Sequence, residues 1–116
     1  MKKLVWLISS KKDLIKFPIE VRREMGYALY IAQLGETHLS SKLFKAQGSG
    51  IYEIVSNYDT NTYRAVYTVQ FKETVYVLHA FQKKSKSGIK TPKEELGVIR
   101  ERLKYLRSIL KRREPK

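Results

Sequence analysis

Read for its apolar and polar positions, the 116-residue chain resolves into alternating extended and helical stretches. Residues Leu4 to Ser9 are apolar and rich enough in β-branched side chains to predict a short first strand. Ser10, with Asp13 three residues on, predicts a capped helical turn. Pro18 suits the first turn of a longer helix. Within it Val21, Met25, Ala28, Leu29 and Ala32 recur at helical spacing, while Arg22, Arg23 and Glu24 face water. Gly35 supplies the stop. Positions 36–50 read as a polar loop with a helical turn near Leu39 to Phe44, closed by "GSG".

Three strands follow in quick succession, Ile51 to Ser56, Tyr63 to Phe71 and Val75 to Phe81. The turns "NYDTNT" and "KET" are too short for a crossover, so neighbouring strands must run antiparallel. In the middle strand Tyr63, Ala65, Tyr67 and Val69 share one face, and Arg64, Val66, Thr68 and Gln70 the other. The last helix has Thr91 as N-cap, Pro92 at N1 and Glu94 completing a capping box. Its apolar stripe is Leu96, Ile99, Leu103, Leu106 and Leu110, with Arg100, Lys104, Arg107 and Lys111 off it; Pro115 ends it. Strand, helix, three-stranded meander and helix make one small α+β domain over residues 1–116, with a basic, frayed tail from about residue 112.

Charge changes this picture more than any other property. The chain carries 24 Lys and Arg against 11 Asp and Glu, a net +13, which favours a polyanionic partner. Residues 82–116 alone hold 13 cations and 4 anions, beyond what a solvated face requires. With no cysteine there are no disulfides, thiolate nucleophiles or zinc-thiolate sites. The apolar run after the first lysines is too short for a signal peptide, and no stretch suits a membrane span, so a cytoplasmic protein with no membrane partner is expected. There is no glycine-rich phosphate loop, and two histidines offer no metal-ligand spacing, so no cofactor or metal is expected.

Two features remain as candidate chemistry. Arg64 is the one charge within "YRAVYTVQ", and the next strand runs out into Lys83, Lys84, Lys86 and Lys90. Antiparallel pairing sets the start of one strand beside the end of the other, placing Arg64 near Lys83 and Lys84 at one edge of the sheet. Cations gathered there repel one another until something anionic joins them, and a phosphodiester fits in charge and geometry. The competing reading pairs Arg64 with Glu53 or Asp59. The dense tyrosines could stack on bases, although packing is the default for Tyr67 and Tyr76. His79, within a strand, reads first as a packed residue and second as a catalytic one.

The stretches "SSKKDLIKFPIEVRREMGYAL", "YRAVY" and "HAFQKKSKSGIKTPKEEL" resemble the phage-derived HigB-like toxins of the RelE/ParE superfamily, over Trp6 to about Leu106. That resemblance implies a RelE-like fold and a toxin held in check by an antitoxin with a helix-turn-helix DNA-binding domain, so that DNA is met only through that partner. It further implies metal-independent mRNA cleavage on the ribosome, by attack of a ribose 2′-OH on the adjacent phosphate. Arg64 matches the phosphate-stabilising arginine of such nucleases and Lys83 the basic residue after the last strand, with Lys84 beside it. The chain departs from RelE where that family carries lysines and a late tyrosine; Glu53, His79 and a lysine of lowered pKa in the crowded cationic site are the candidates for base and acid. Lys86, Lys90, Lys45, Arg100 and Lys104 are expected to hold RNA or ribosome. A ParE-like gyrase inhibitor and a non-catalytic nucleic-acid-binding module are the alternatives.

Overall fold

The computed structural model describes residues 1–45, 48–83 and 91–113. Its elements are β1 (Lys3–Trp6), α1 (Ser10–Leu14), α2 (Ile19–Gln33), β2 (Ser41–Leu43), β3 (Ile51–Tyr58), β4 (Asn61–Thr68), β5 (Thr74–Lys83) and α3 (Lys93–Arg113). The strands form one mixed sheet in the order β1-β5-β4-β3-β2. The β2–β3, β3–β4 and β4–β5 pairs are antiparallel, and β1 lies parallel to β5. The α+β architecture and the antiparallel meander agree with the sequence pattern.

The alternation in β4 sorts the domain into layers. Tyr63, Ala65 and Tyr67 turn toward α2, where they pack with Val21, Met25, Leu29 and the apolar side of β5. Val66 turns the other way and packs with Ile51, Leu78, Ile99, Leu103 and Leu106 beneath α3. Tyr67 is a core residue that stacks on Tyr52 at 5.6 Å, and burial pushes its phenol above the ordinary value. A bulge in β5 departs from strict alternation: Val66 pairs with His79, but Tyr67 pairs with Val77. The extra residue turns Leu78 and His79 to the same side, which puts the histidine on the α3 face.

Local chemistry accounts for the element ends. Asp59 and Thr60 both take positive φ, giving the two-residue turn that matches strand twist between β3 and β4. Gly35 stops α2 with φ of 86°, its N–H bonding Ala32 O at 3.0 Å. Gly50 has φ of 75°, and a Cβ there would sit 2.8 Å from Gln70 Cγ.

Four expectations are corrected. The helical turn near Leu39 to Phe44 is instead the edge strand β2, paired with β3. Ser10 does not cap α1; its Oγ donates to Val77 O at 3.2 Å, while Ser9 precedes the helix and donates to Asp13 Oδ2 at 3.0 Å. The first α3 bond runs from Leu96 N to Pro92 O, which makes Pro92 the cap and frees the Thr91 side chain. Finally, α3 continues to Arg113, so Arg112 and Arg113 belong to the helix and not to a tail.

Candidate active site and nucleic-acid interface

Register assembles the site. Directly opposed residues of an antiparallel pair share a face, so Lys42, Glu53, Val66 and His79 form one row across β2 to β5. Val55, Arg64 and Phe81 form the next, and Asn57, Thr62 and Lys83 the third. Four of the sequence-derived candidates, Arg64, Lys83, Glu53 and His79, therefore lie on the α3 face of the sheet. All four are buried. Arg64 is on the central strand, not at an edge as the sequence suggested, because β1 and β2 extend the meander on both sides.

Arg64 Nη1 donates to Glu53 Oε1 at 2.8 Å. The anion expected from outside the chain is thus met, in this structure, by the chain's own carboxylate. Arg64 Nε, also buried, has no hydrogen-bond partner among the described residues. Two donors on one guanidinium are consequently in different states, one engaged and one still able to bind an oxygen. Glu53 Oε2 accepts from the Thr91 hydroxyl at 3.0 Å. The chain leaves β5 at Lys83 beside β4 and is met again at Thr91 against β3, so these two residues flank Arg64 from opposite sides.

His79 is held at both ring nitrogens. Nε2 lies 2.7 Å from Glu95 Oε1, and Nδ1 lies 3.3 Å from Arg102 Nη1. A guanidinium only donates, so Nδ1 accepts and the ring proton belongs on Nε2, facing Glu95. Arg102 also donates to Leu78 O at 2.9 Å and to Ser9 Oγ at 3.1 Å. Burial pushes its guanidinium below the ordinary value, against the pull of Asp13 and Glu95, and it stays charged at any physiological pH. The histidine ring stacks on Phe81 with centroids 5.1 Å apart. This network ties α1, β5 and α3 together.

Outside the packed face, Lys93, Arg100, Lys104, Arg107 and Lys111 are all exposed. At 100° per residue they fall within about 40° of one line down α3, extending for about 27 Å. None of the five forms a salt bridge among the described residues. Lys45 is exposed beyond β2, at the opposite end of the sheet from β1. Lys84, Lys86 and Lys90 lie outside the described residues. No three His, Cys, Asp or Glu side chains converge as metal ligands do among the described residues.

A model of the phage-derived protein Gp49-like family matches residues 12–104. The chain belongs to the Gp49-like family. Among solved structures, a chain of the toxin–antitoxin complex RelBE2 from Mycobacterium tuberculosis is similar to this Gp49-like protein with a TM-score of 0.50 and 17% identity. The match covers 71% of this chain and 98% of that one. At that identity the likeness establishes the fold, which is that of a RelE-type toxin. No curated protein matches the chain. Among the described residues, no helix of this Gp49-like protein is long and apolar enough to cross a membrane.

Four residues of the site escaped sequence reasoning. Thr91 had a local explanation as a helix cap, which hid its bond to a residue 38 positions earlier. Glu95 and Arg102 reach His79 across 16 and 23 positions, a relation that no spacing rule encodes. Lys42 stands opposite Glu53 only because residues 41–43 form a strand. One signal was available: "SKL" preceding a β-rich run permits an edge strand as readily as a turn.

Proposed function

We propose that this Gp49-like protein is a HigB-like toxin that cuts mRNA on the ribosome and is neutralised by a cognate antitoxin with a helix-turn-helix domain. The observation that carries the reading is the buried Arg64, whose Nε has no partner among the described residues, on one face with Lys83 and Glu53. A guanidinium with a spare donor suits the non-bridging oxygens of a phosphodiester.

The residues support a reaction in which the 2′-oxygen bonds to phosphorus, the bond to the 5′-oxygen breaks, and a 2′,3′-cyclic phosphate and a 5′-OH result. Arg64 offsets the charge that builds on the phosphorane oxygens, with Lys83 beside it. Glu53 takes the 2′-OH proton, and the Lys83 ammonium returns one to the 5′-oxygen. A phosphate bound to Arg64 competes for that guanidinium and frees Glu53 Oε1 to accept the 2′-OH proton. His79, with both nitrogens engaged, acts as a strut for α3 and not as acid or base. The cation line on α3 grips ribosomal RNA, with Lys45 as an outlying contact.

The same ion pair lends weight to one other reading. A guanidinium already neutralised by Glu53 needs no phosphate, which fits a nucleic-acid-binding module that cuts nothing. Purified protein incubated with mRNA-programmed ribosomes separates the two. Cleavage products ending in 2′,3′-cyclic phosphate, lost in Arg64→Ala/Lys83→Ala, support the nuclease; intact mRNA with ribosome binding retained supports the module.

A further inference from the structure

The flank of α3 between its core stripe and its cation line has a chemistry of its own. Glu94, Val98, Glu101 and Tyr105 follow one another at steps of four, three and four, and so share this flank. With Gly97 and Ile8 they enclose an open groove of ≈ 640 Å³. Its walls are apolar: Ile8 is 66% exposed and Tyr105 51%. At Gly97 an added Cβ would meet nothing within 4 Å, so the groove is open there for want of a side chain.

Ile8 is the unusual wall. It takes φ of 51°, a left-handed conformation that is a genuine outlier for a β-branched residue. Glycine would make this turn without strain and without exposing apolar surface. The backbone on either side is clamped: Leu7 N donates to Val77 O and Ser10 N to Leu7 O, each at 3.0 Å. The fold thus holds an apolar side chain, at a cost in both strain and exposure, on the rim of an apolar groove. Such an outlier points toward function.

Charge says what fits there. Glu94 and Glu101 are exposed on the groove and form no ion pair among the described residues, in a chain with 24 cations to 11 anions. Arg100 and Arg102 also border the groove, Arg100 as part of the cation line and Arg102 with its guanidinium committed to Leu78, His79 and Ser9. Apolar walls set between two carboxylates suit a protein segment better than a phosphate backbone. A protein segment that sets apolar side chains against Ile8, Val98 and Tyr105, with Lys or Arg against Glu94 and Glu101, is complementary.

We propose that this groove is where the antitoxin docks, through an amphipathic segment of that description; the proposal rests on the toxin reading above. A segment seated there lies beside the cation line of α3 and leaves the Glu53–Arg64 pair untouched. Inhibition then works by denying α3 its RNA contact, with the catalytic face uncovered.

The test uses the full chain and, as probe, the cognate helix-turn-helix antitoxin, with affinity and thermal stability measured for each variant. Ile8→Gly removes the wall and relieves the backbone, so its Tm should equal or exceed the wild-type value while affinity falls about tenfold or more. Glu101→Lys should weaken binding to a similar extent, and Arg64→Ala should bind as the wild type does. A complex whose affinity ignores both Ile8→Gly and Glu101→Lys, or responds to Arg64→Ala instead, overturns the groove assignment while leaving the toxin reading standing. Loss in Ile8→Gly of a chain dimer or of RNA crosslinking, with antitoxin affinity unchanged, overturns it too. A wild-type chain that binds no antitoxin overturns the toxin reading itself.

Discussion

Glu53 Oε1 and Arg64 Nη1 stand 2.8 Å apart on adjacent strands, both side chains buried against the α3 face of the sheet. Removing one member strands the other as an uncompensated buried charge. Arg64→Ala should therefore cost about 3–5 kcal/mol of stability, read by urea unfolding. Replacing both with apolar residues, as in Glu53→Leu/Arg64→Met, should recover most of that loss and still abolish cleavage. A double variant as unstable as the single one would contradict a pairwise origin for the effect.

The charge on Glu53 and its shape can be separated. Glu53→Gln keeps an oxygen acceptor for Arg64 and turns an amide N–H toward the Thr91 hydroxyl, which can accept it, but cannot take a proton at a carboxylate. Single-turnover cleavage should fall by about 10²–10⁴ if Glu53 is the base. RNA affinity should hold or rise, since phosphate no longer competes with a carboxylate for Arg64. Unchanged cleavage would reduce Glu53 to a support for the arginine.

Much of this site was legible in the sequence, and the limits follow a physical pattern. Alternation in β4 is a local property with a period of two, so it correctly set Arg64 and Val66 opposite Tyr63 and Tyr67. Pairing Arg64 with Glu53 needed only the register of one hairpin, and it stood among the two readings considered. What failed depended on distant parts of the chain. Thr91 satisfies the local rule for a cap, yet Glu53 claims its hydroxyl. β2 is three residues long and owes its extended form to β3, so its own sequence says little. The parallel partnership of β1 with β5 joins the first strand of the chain to the last, beyond the reach of turn rules.

His79 gives a clean contrast between positioning and chemistry. His79→Leu keeps an apolar side chain near Phe81 but loses the ties to Glu95 and Arg102. About 1–3 kcal/mol of stability should go with them, and hydrogen exchange should quicken in α3 first. Cleavage per folded molecule should be nearly unchanged. A loss of a hundredfold or more at full folding would return His79 to the reaction.

The cation line on α3 makes a separate, sequence-independent contribution. Arg100→Ala/Lys104→Ala should weaken ribosome binding and lower the slope of log affinity against log salt by about two, one for each phosphate contact removed. Stability should not move, since both side chains are exposed. An unaltered slope would place the RNA contact elsewhere.

The most direct test of the central claim is a map of mRNA 5′ ends after brief expression in cells, comparing wild type with Arg64→Ala/Lys83→Ala. The account expects new ends bearing 5′-OH, phased with codons, in the wild type alone. Growth arrest with intact mRNA and a loss of DNA supercoiling would contradict it, as would identical ends from both proteins.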